Sequence, residues 1–266
     1  MMNFSVAYPE LVKRAWDHGA RRVARGRPHR ALFNVILETH ADENMLVGNG
    51  FSRRFAIAEL MAYCAGWDDV AWLARFNPNI AQFSDDGHSF YGAYGPRIEN
   101  AMPWLISLLK EDPETRQAVC QIYHPEDLWN ESKDKPCNTM FQLQAVGGRL
   151  NMTIYQRSCD LVWGLPYDHF SFSTILLLIA HELKLRAGSV TRIIANAHVY
   201  EPEAGFAGDG RIARAMEPQE VTFWIPGPTS FFAFRNTAML VRAKIEGIDV
   251  DVTPDMKTLM EAIGCA

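Results

Sequence analysis

Apolar residues recur at helical spacing in four stretches of the chain. Over residues 8–23, Leu11, Val12, Ala15 and Trp16 share one side of a helix. Residues 54–64 repeat the pattern with Ile57, Leu60, Met61 and Cys64 and stop at Gly66, while residues 101–110 predict a helix ended by Asp112-Pro113. Residues 171–185 differ in kind, because Ile175, Leu176, Leu177, Leu178 and Ile179 are apolar nearly all round, the pattern of a helix buried at the centre. β-Branched and aromatic residues predict strands over residues 32–37, 118–123, 190–200 and 221–225. Residues 140–155 alternate on both sides of Gly147-Gly148, which predicts a hairpin. Helices and strands mix without strict βαβ order, so the expected class is α+β. No repeat, linker or low-complexity tract interrupts residues 1–266, which are read as a single domain.

Composition narrows the function classes. A chain of 266 residues with 48% hydrophobic and 21% charged residues can bury a large core. Its net charge of -5 argues against a nucleic acid polymer as ligand, and its longest apolar run, residues 175–180, is too short to span a membrane. Cys64, Cys120, Cys137, Cys159 and Cys265 are odd in number and lack CxxC spacing, which points to free thiols in a reducing compartment and to no metal site. Residues 1–5 carry no basic segment followed by an apolar run, so the expected location is cytoplasmic.

The chemistry gathers around Cys137, which follows Pro136 at the start of a predicted strand. A cysteine taken alone is more often structural, but a thiolate is the strongest side-chain nucleophile near neutral pH. Twenty residues on, Gln156-Arg157-Ser158 offers a guanidinium fork and a hydroxyl suited to a phosphate dianion. Gly164-Leu165-Pro166-Tyr167-Asp168 follows, then Asn196-Ala197-His198-Val199-Tyr200, whose His198 and Tyr200 are two apart on a strand and face one side. Glu59 stands among apolar neighbours, and Tyr94-Gly95 lies further along.

This series resembles the thymidylate synthase superfamily, roughly over residues 59–200 and most densely over 136–168. The resemblance implies an α+β fold with a mixed sheet around a central buried helix. It implies that Cys137 adds to C6 of a pyrimidine nucleotide, making C5 nucleophilic toward a one-carbon unit from 5,10-methylenetetrahydrofolate. Gln156, Arg157 and Ser158 would bind the nucleotide together with Arg116, lent across the interface of a homodimer, and one of Arg25, Arg27 or Arg30. His198 and Tyr200 would hold the sugar 3'-hydroxyl, Glu59 and Tyr94 would order water and move protons at the base, and Asp160 would face the folate.

One departure concerns the substrate. Synthases carry Asn after Gly-Leu-Pro-aromatic, whereas this chain has Asp168. Uracil presents N3–H and O4, which an amide matches; cytosine presents N3 and a 4-amino group, which a carboxylate sharing a proton matches. Asp168 resembles the phage deoxycytidylate hydroxymethylases in this respect, implying dCMP as substrate and a phage enzyme in the host cytoplasm. The competing local role for Asp168 is that of helix N-cap. Tryptophan is missing from residues 79–84, Asn138 follows the cysteine where synthases have His, and the C-terminal run Ile263-Gly264-Cys265-Ala266 is not an apolar lid. A wetter site favours water addition over reduction. A dCMP methyltransferase, a CMP hydroxymethylase and a dUMP-specific enzyme stay open. So does a nucleotide-binding regulator, although binding alone needs neither Cys137 nor Glu59.

Overall fold

The computed structural model describes residues 3–47, 50–202, 210–225 and 227–265. Met1, Met2 and Ala266, from the two terminal stretches considered above, lie outside the described residues. Helix α1 (Phe4–His18) is followed at once by strand β1 (Ala20–Ala24), which corrects the helix expected over residues 8–23. Gly19 makes the change possible, since a Cβ there would stand 2.3 Å from the Ala15 carbonyl oxygen and 2.9 Å from the Ala31 nitrogen. The arginine-rich segment beyond it is a hairpin: β1 pairs with β2 (Arg27–His40) around Arg25 and Gly26, both at positive φ. Strand β2 is longer than the expected 32–37 because β8 (Arg186–Tyr200) pairs along its other edge.

A short strand β3 (Met45–Val47) precedes α2 (Arg53–Ala65), whose Ser52 side chain accepts from the Phe55 amide and whose end is left-handed Gly66. Helices α3 (Val70–Ala74) and α4 (Tyr94–Glu111) follow; α4 starts earlier than expected and runs through Pro103. Strands β5 (Asn138–Val146) and β6 (Arg149–Gln156) form the expected hairpin, with Gly147 and Gly148 at positive φ in the turn, and β4 (Val119–Gln121) pairs along the other edge of β5. After β7 (Cys159–Asp160) comes α5 (Leu165–Glu182), and β8 is followed by α6 (Arg211–Met216), β9 (Glu220–Thr222), α7 (Phe231–Ile245) and α8 (Pro254–Ile263).

Seven strands make one sheet in the order β1-β2-β8-β6-β5-β4, with β7 also on β8. Strands β6 and β7 run parallel to β8 and the other pairs are antiparallel, so the sheet is mixed. The separate pair β3–β9 takes up part of the region expected as a strand over residues 221–225. The inner face of the sheet (Phe141, Leu143, Leu150, Met152, Ile154, Val190) packs with α2, α4, α5, α7 and α8 in the larger core. A second apolar cluster joins α1 to Val35, Leu37, Ile194 and Val199. Helix α5 is the central buried helix, with Phe170, Phe172, Ile175, Leu176, Leu178 and Ile179 all at 0% exposure. On the outer face, Ile36, Ile193, Tyr155 and Met140 stand side by side across four strands. The described helices leave this face bare, with Ile36 69% and Tyr155 42% exposed.

Truncation in α5 tests how much of the fold this helix carries. Leu176→Ala removes a fully buried side chain and is expected to cost about 2–5 kcal/mol in equilibrium denaturant unfolding.

Candidate active site

The start of β5 and the end of β6 are hydrogen-bonded neighbours, with Asn138 directly opposite Gln156. A register shift between Asn138 and Met140 changes the alternation there. Asn138 and Gln156 are fully buried, and both reach the first turn of α5. Asn138 Nδ2 donates to Asp168 Oδ1 at 3.2 Å, and Gln156 Nε2 donates to Oδ2 at 2.9 Å. Each carboxylate oxygen is thus held by one amide. The helix cap is Gly164 and Asp168 lies inside the helix, so its side chain is not an N-cap. Burial pushes the Asp168 carboxyl up to about 6, against the nearby Arg192 and the two amide donors, which lower it. The other amide oxygens, Asn138 Oδ1 and Gln156 Oε1, and also Glu59 Oε2, are buried without a hydrogen-bond partner among the described residues.

Cys137 is half-buried one residue before this pair. Its amide and that of Asn138 both donate to the Tyr94 hydroxyl at 3.3 Å. Tyr94 opens α4, and the loop it grips is pressed close to Gly92, where a Cβ would lie 2.6 Å from the Asp134 carbonyl oxygen. Arg157 donates from Nε to the Pro136 carbonyl at 2.8 Å and from Nη2 to the Lys135 carbonyl at 2.9 Å, with Nη2 3.9 Å from Cys137 Sγ. Burial raises the thiol above its ordinary value, and Arg157 pulls it back toward the thiolate. Arg157 therefore shapes the cysteine loop as well as offering a cation beside the half-buried Ser158.

Glu59 lies on α2 opposite Asp168. Burial, then the Asp168 charge, push its carboxyl up to about 8, while a hydrogen bond from the Tyr63 hydroxyl acts the other way. A carboxyl kept protonated by burial and by a neighbouring carboxylate suits proton transfer near neutral pH. Tyr63 and Tyr94 are themselves held protonated, mainly by burial.

The rings of His198 and Tyr200 meet edge to face at 4.9 Å, with His29 of β2 5.3 Å from His198. Burial lowers the His198 ring below its usual value although Asp160 opposes this. Among the three candidate arginines, Arg25 donates to the Lys133 carbonyl at 3.1 Å and is felt by both Cys137 and Tyr200. Arg27 lies 6.0 Å from the Tyr200 ring centroid. Arg30 is turned away: it donates to the Trp16 carbonyl at 3.0 Å and pairs with Glu201 at 3.4 Å. Arg116 is exposed on the loop before β4, its carbonyl taken by Gln142, and makes no described contact with the Cys137 cluster.

Asp160 Oδ1 accepts from the amides of Val162 and Trp163, which fixes the carboxylate on the turn leading into α5. Tyr167, at the start of that helix, stacks on Phe51 at 4.8 Å and meets Phe55 edge-on at 5.2 Å. A fixed carboxylate is suited to accept from the N–H donors of a flat heterocycle, so Asp160 has the chemistry to hold a pterin. The expected tryptophan-free segment forms a 3-10 turn at Pro78–Phe83. A cavity of about 660 Å³ nearby is lined by Asp68, Asp85, Asp86, Phe90, Tyr91 and Glu131. Its acidic wall is wrong for a phosphate, and neither Cys137 nor Asp168 lines it.

Residues 6–244 match the protein family described as thymidylate synthase. The chain belongs to the thymidylate synthase family. A deoxyuridylate hydroxymethyltransferase of Bacillus phage SP01 is 36% identical over 219 residues, covering 74% of this chain and 57% of that protein. One of Pseudomonas phage M6 is 36% identical over 220 residues, covering 75% of this chain and 60% of that protein. The alignments thus span less than two thirds of these relatives' length.

Within this family site, Arg192 and His169 are residues that sequence reasoning missed. Arg192 has 0% exposure, and donates to the Asp168 carbonyl at 3.2 Å. No local pattern marks it, since a charged residue in a predicted strand reads as surface.

Burial of Glu59 makes protein stability depend on pH. Between the unfolded carboxyl value of about 4 and the folded value of about 8, the native protein keeps a proton that the unfolded chain releases. Stability attributable to this group falls as pH rises through that window. Glu59→Gln is expected to gain on the wild type in unfolding free energy between pH 5 and pH 8, measured by urea denaturation at each pH.

Proposed function

We propose that this protein transfers a one-carbon unit to C5 of dCMP, with water addition giving 5-hydroxymethyl-dCMP. The observation that carries the reading is Asp168, a carboxylate gripped by Asn138 and Gln156 beside Cys137. Around it lie two more buried acceptor oxygens without partners, on Asn138 and Gln156. Such surroundings favour a base edge rich in donors. The 4-amino group of cytosine supplies two N–H donors where uracil supplies an acceptor.

In this reading Cys137 attacks C6 as a thiolate, helped by Arg157, and is expelled when the modified base is released. Tyr94 fixes the two backbone amides of the nucleophile loop, so the sulfur is aimed without reorganisation. Glu59 takes and returns protons at the base and directs the water that completes the hydroxymethyl group. His198 and Tyr200 hold the sugar hydroxyl. Arg157, Ser158 and Arg25 or Arg27 hold the phosphate, together with Arg116 of a second subunit. 5,10-Methylenetetrahydrofolate, when bound, supplies the one-carbon unit at the formaldehyde level. Asp160 would hold it. The absence of tryptophan from residues 79–84 supports a site open to water. No described helix is long and apolar enough to cross a membrane. With phage relatives, the host cytoplasm is the proposed location.

The relatives' names favour a second reading, in which the base is uracil and the substrate dUMP. One experiment separates the two. The protein is incubated with 5,10-methylenetetrahydrofolate and equimolar dCMP, CMP and dUMP, with products identified by mass spectrometry and dihydrofolate followed by absorbance. Hydroxymethyl-dCMP without dihydrofolate is expected; a uracil product would overturn the cytosine reading, and dihydrofolate would indicate methylation. Cys137→Ala is expected to abolish tritium release from C5 while retaining nucleotide binding.

The bare sheet face supports a homodimer. The row Ile36, Ile193, Tyr155 and Met140 offers an apolar strip that could meet its own copy, and Arg116 lies on the loop before β4, which forms one edge of that sheet. Light scattering coupled to size exclusion is expected to give twice the chain mass for the wild type and the monomer mass for Ile36→Glu.

A further inference from the structure

His29 joins His198 and Tyr200, the two residues read as sugar-binding, in a cluster of three rings. Strand β2 pairs antiparallel with β8, which sets His29 directly opposite Tyr200 and Ala31 opposite His198. Side chains two apart on a strand share a face, so all three rings project to one side of the sheet. The small side chain of Ala31 leaves room for His29 to reach His198 as well. Their ring centroids lie 5.3 Å apart at 62°, and His29 meets Tyr200 at 5.9 Å and 67°. Both contacts are edge to face, as is the 4.9 Å contact between His198 and Tyr200. Among the described residues no further aromatic ring packs on either member of the pair. Hydrogen bonds fix the two imidazoles. His29 Nδ1 is 3.2 Å from the Arg27 carbonyl oxygen, and His198 Nδ1 is 3.1 Å from the Asn196 side-chain carbonyl oxygen. A carbonyl only accepts, so each ring carries its proton on Nδ1 and offers the Nε2 lone pair. Tyr200 differs. No described residue bonds its hydroxyl, so its ring is oriented by packing against His29, His198 and the Arg27 guanidinium at 6.0 Å.

We propose that His29 is a positioning residue for recognition of the sugar 3'-hydroxyl, its ring holding His198 and Tyr200 at the angle at which both meet that group. This inference rests on the reading that His198 and Tyr200 hold the sugar. A hydroxyl has one proton to donate and lone pairs with which to accept. The His198 lone pair takes that proton, and the Tyr200 phenol donates to the oxygen. Both bonds weaken steeply when donor and acceptor turn away from each other. His198 has a hydrogen bond of its own to keep it in place, whereas Tyr200 relies on its neighbours. Loss of the His29 ring therefore falls first on the Tyr200 bond. The carbonyl that anchors His29 belongs to Arg27, at the end of the β1–β2 hairpin, so the ring also ties the sugar pair to the arginine turn.

The test measures affinity by isothermal titration calorimetry for two pairs, dCMP with 2',3'-dideoxy-CMP and dUMP with 2',3'-dideoxy-UMP. It uses the full chain and its His29→Ala, His29→Asn and His29→Phe variants. Each ratio is taken within one base, so base preference cancels. The wild type is expected to bind the nucleotide bearing the 3'-hydroxyl about tenfold more tightly, the range of one to two hydrogen bonds. His29→Ala and His29→Asn are expected to reduce that ratio to about threefold or less. Asparagine keeps a donor toward the Arg27 carbonyl, and carries the same test should the alanine variant fail to fold. His29→Phe keeps a ring edge without either nitrogen, and is expected to hold the ratio within about twofold of the wild type. Weaker binding of both members of a pair with an unchanged ratio in His29→Ala and His29→Asn would overturn the proposal and leave His29 a structural residue. A ratio lost as fully in His29→Phe as in His29→Ala would overturn positioning by the ring and assign the effect to a His29 nitrogen. A wild type that does not distinguish the members of either pair would instead overturn the sugar reading of His198 and Tyr200, whatever the variants do.

Discussion

Helix α5 is apolar on every side, so the only place where it avoids water all round is between the sheet and the other helices. That constraint determines the geometry of the site. Once the body of the helix is buried, its first turn arrives at the adjoining ends of β5 and β6, bringing Asp168 to Asn138 and Gln156. The hydrophobic effect thus sets the position of a polar group it does not itself stabilise. Two side-chain amides then meet the carboxylate's need for hydrogen bonds, and the cost of desolvation appears as a raised proton affinity rather than as an unsatisfied charge.

The Cys137 loop depends on a second type of support. Tyr94 and Arg157 approach the Cys137 loop from different elements and bind mainly its backbone. Holding the peptide rather than the sulfur leaves the thiol available for chemistry. It also makes two polar side chains part of the scaffold of Cys137, so that the setting of the thiol and the shape of the loop are tied together.

The sequence revealed helices where periodicity was strong and a candidate site where several residue types kept their spacing. Helix α2, the Gly147-Gly148 hairpin and buried α5 follow directly from pattern. The extent of α1 did not, because the stretch after His18 keeps helix-compatible residues and only the close approach of Ala15 and Ala31 reveals what Gly19 permits. Cys137, Gln156, Arg157 and Asp168 were legible as a set, and the structure brings them together. The choice among Arg25, Arg27 and Arg30 was not legible, as it depends on Glu201 claiming Arg30 from across the β2–β8 pairing. Nor was Arg192, whose partners His169 and Asp168 sit more than twenty residues away on a helix; an arginine amid strand residues carries no sign of the face it occupies.

The pairing of Asn138 with Gln156 has a consequence for how the chain tolerates change in length. Both residues are in place because the hairpin is counted from the Gly147-Gly148 turn, at its far end. Exposed hairpin tips ordinarily accept insertions. Here one added residue that slipped the ladder would bring Tyr155 or Arg157 to the position of Gln156 and reverse the face of every side chain along the strand. A surface turn at the far end of the hairpin is thereby part of the ruler that measures out the Asn138–Gln156–Asp168 cluster, and it should drift in composition far more freely than in length.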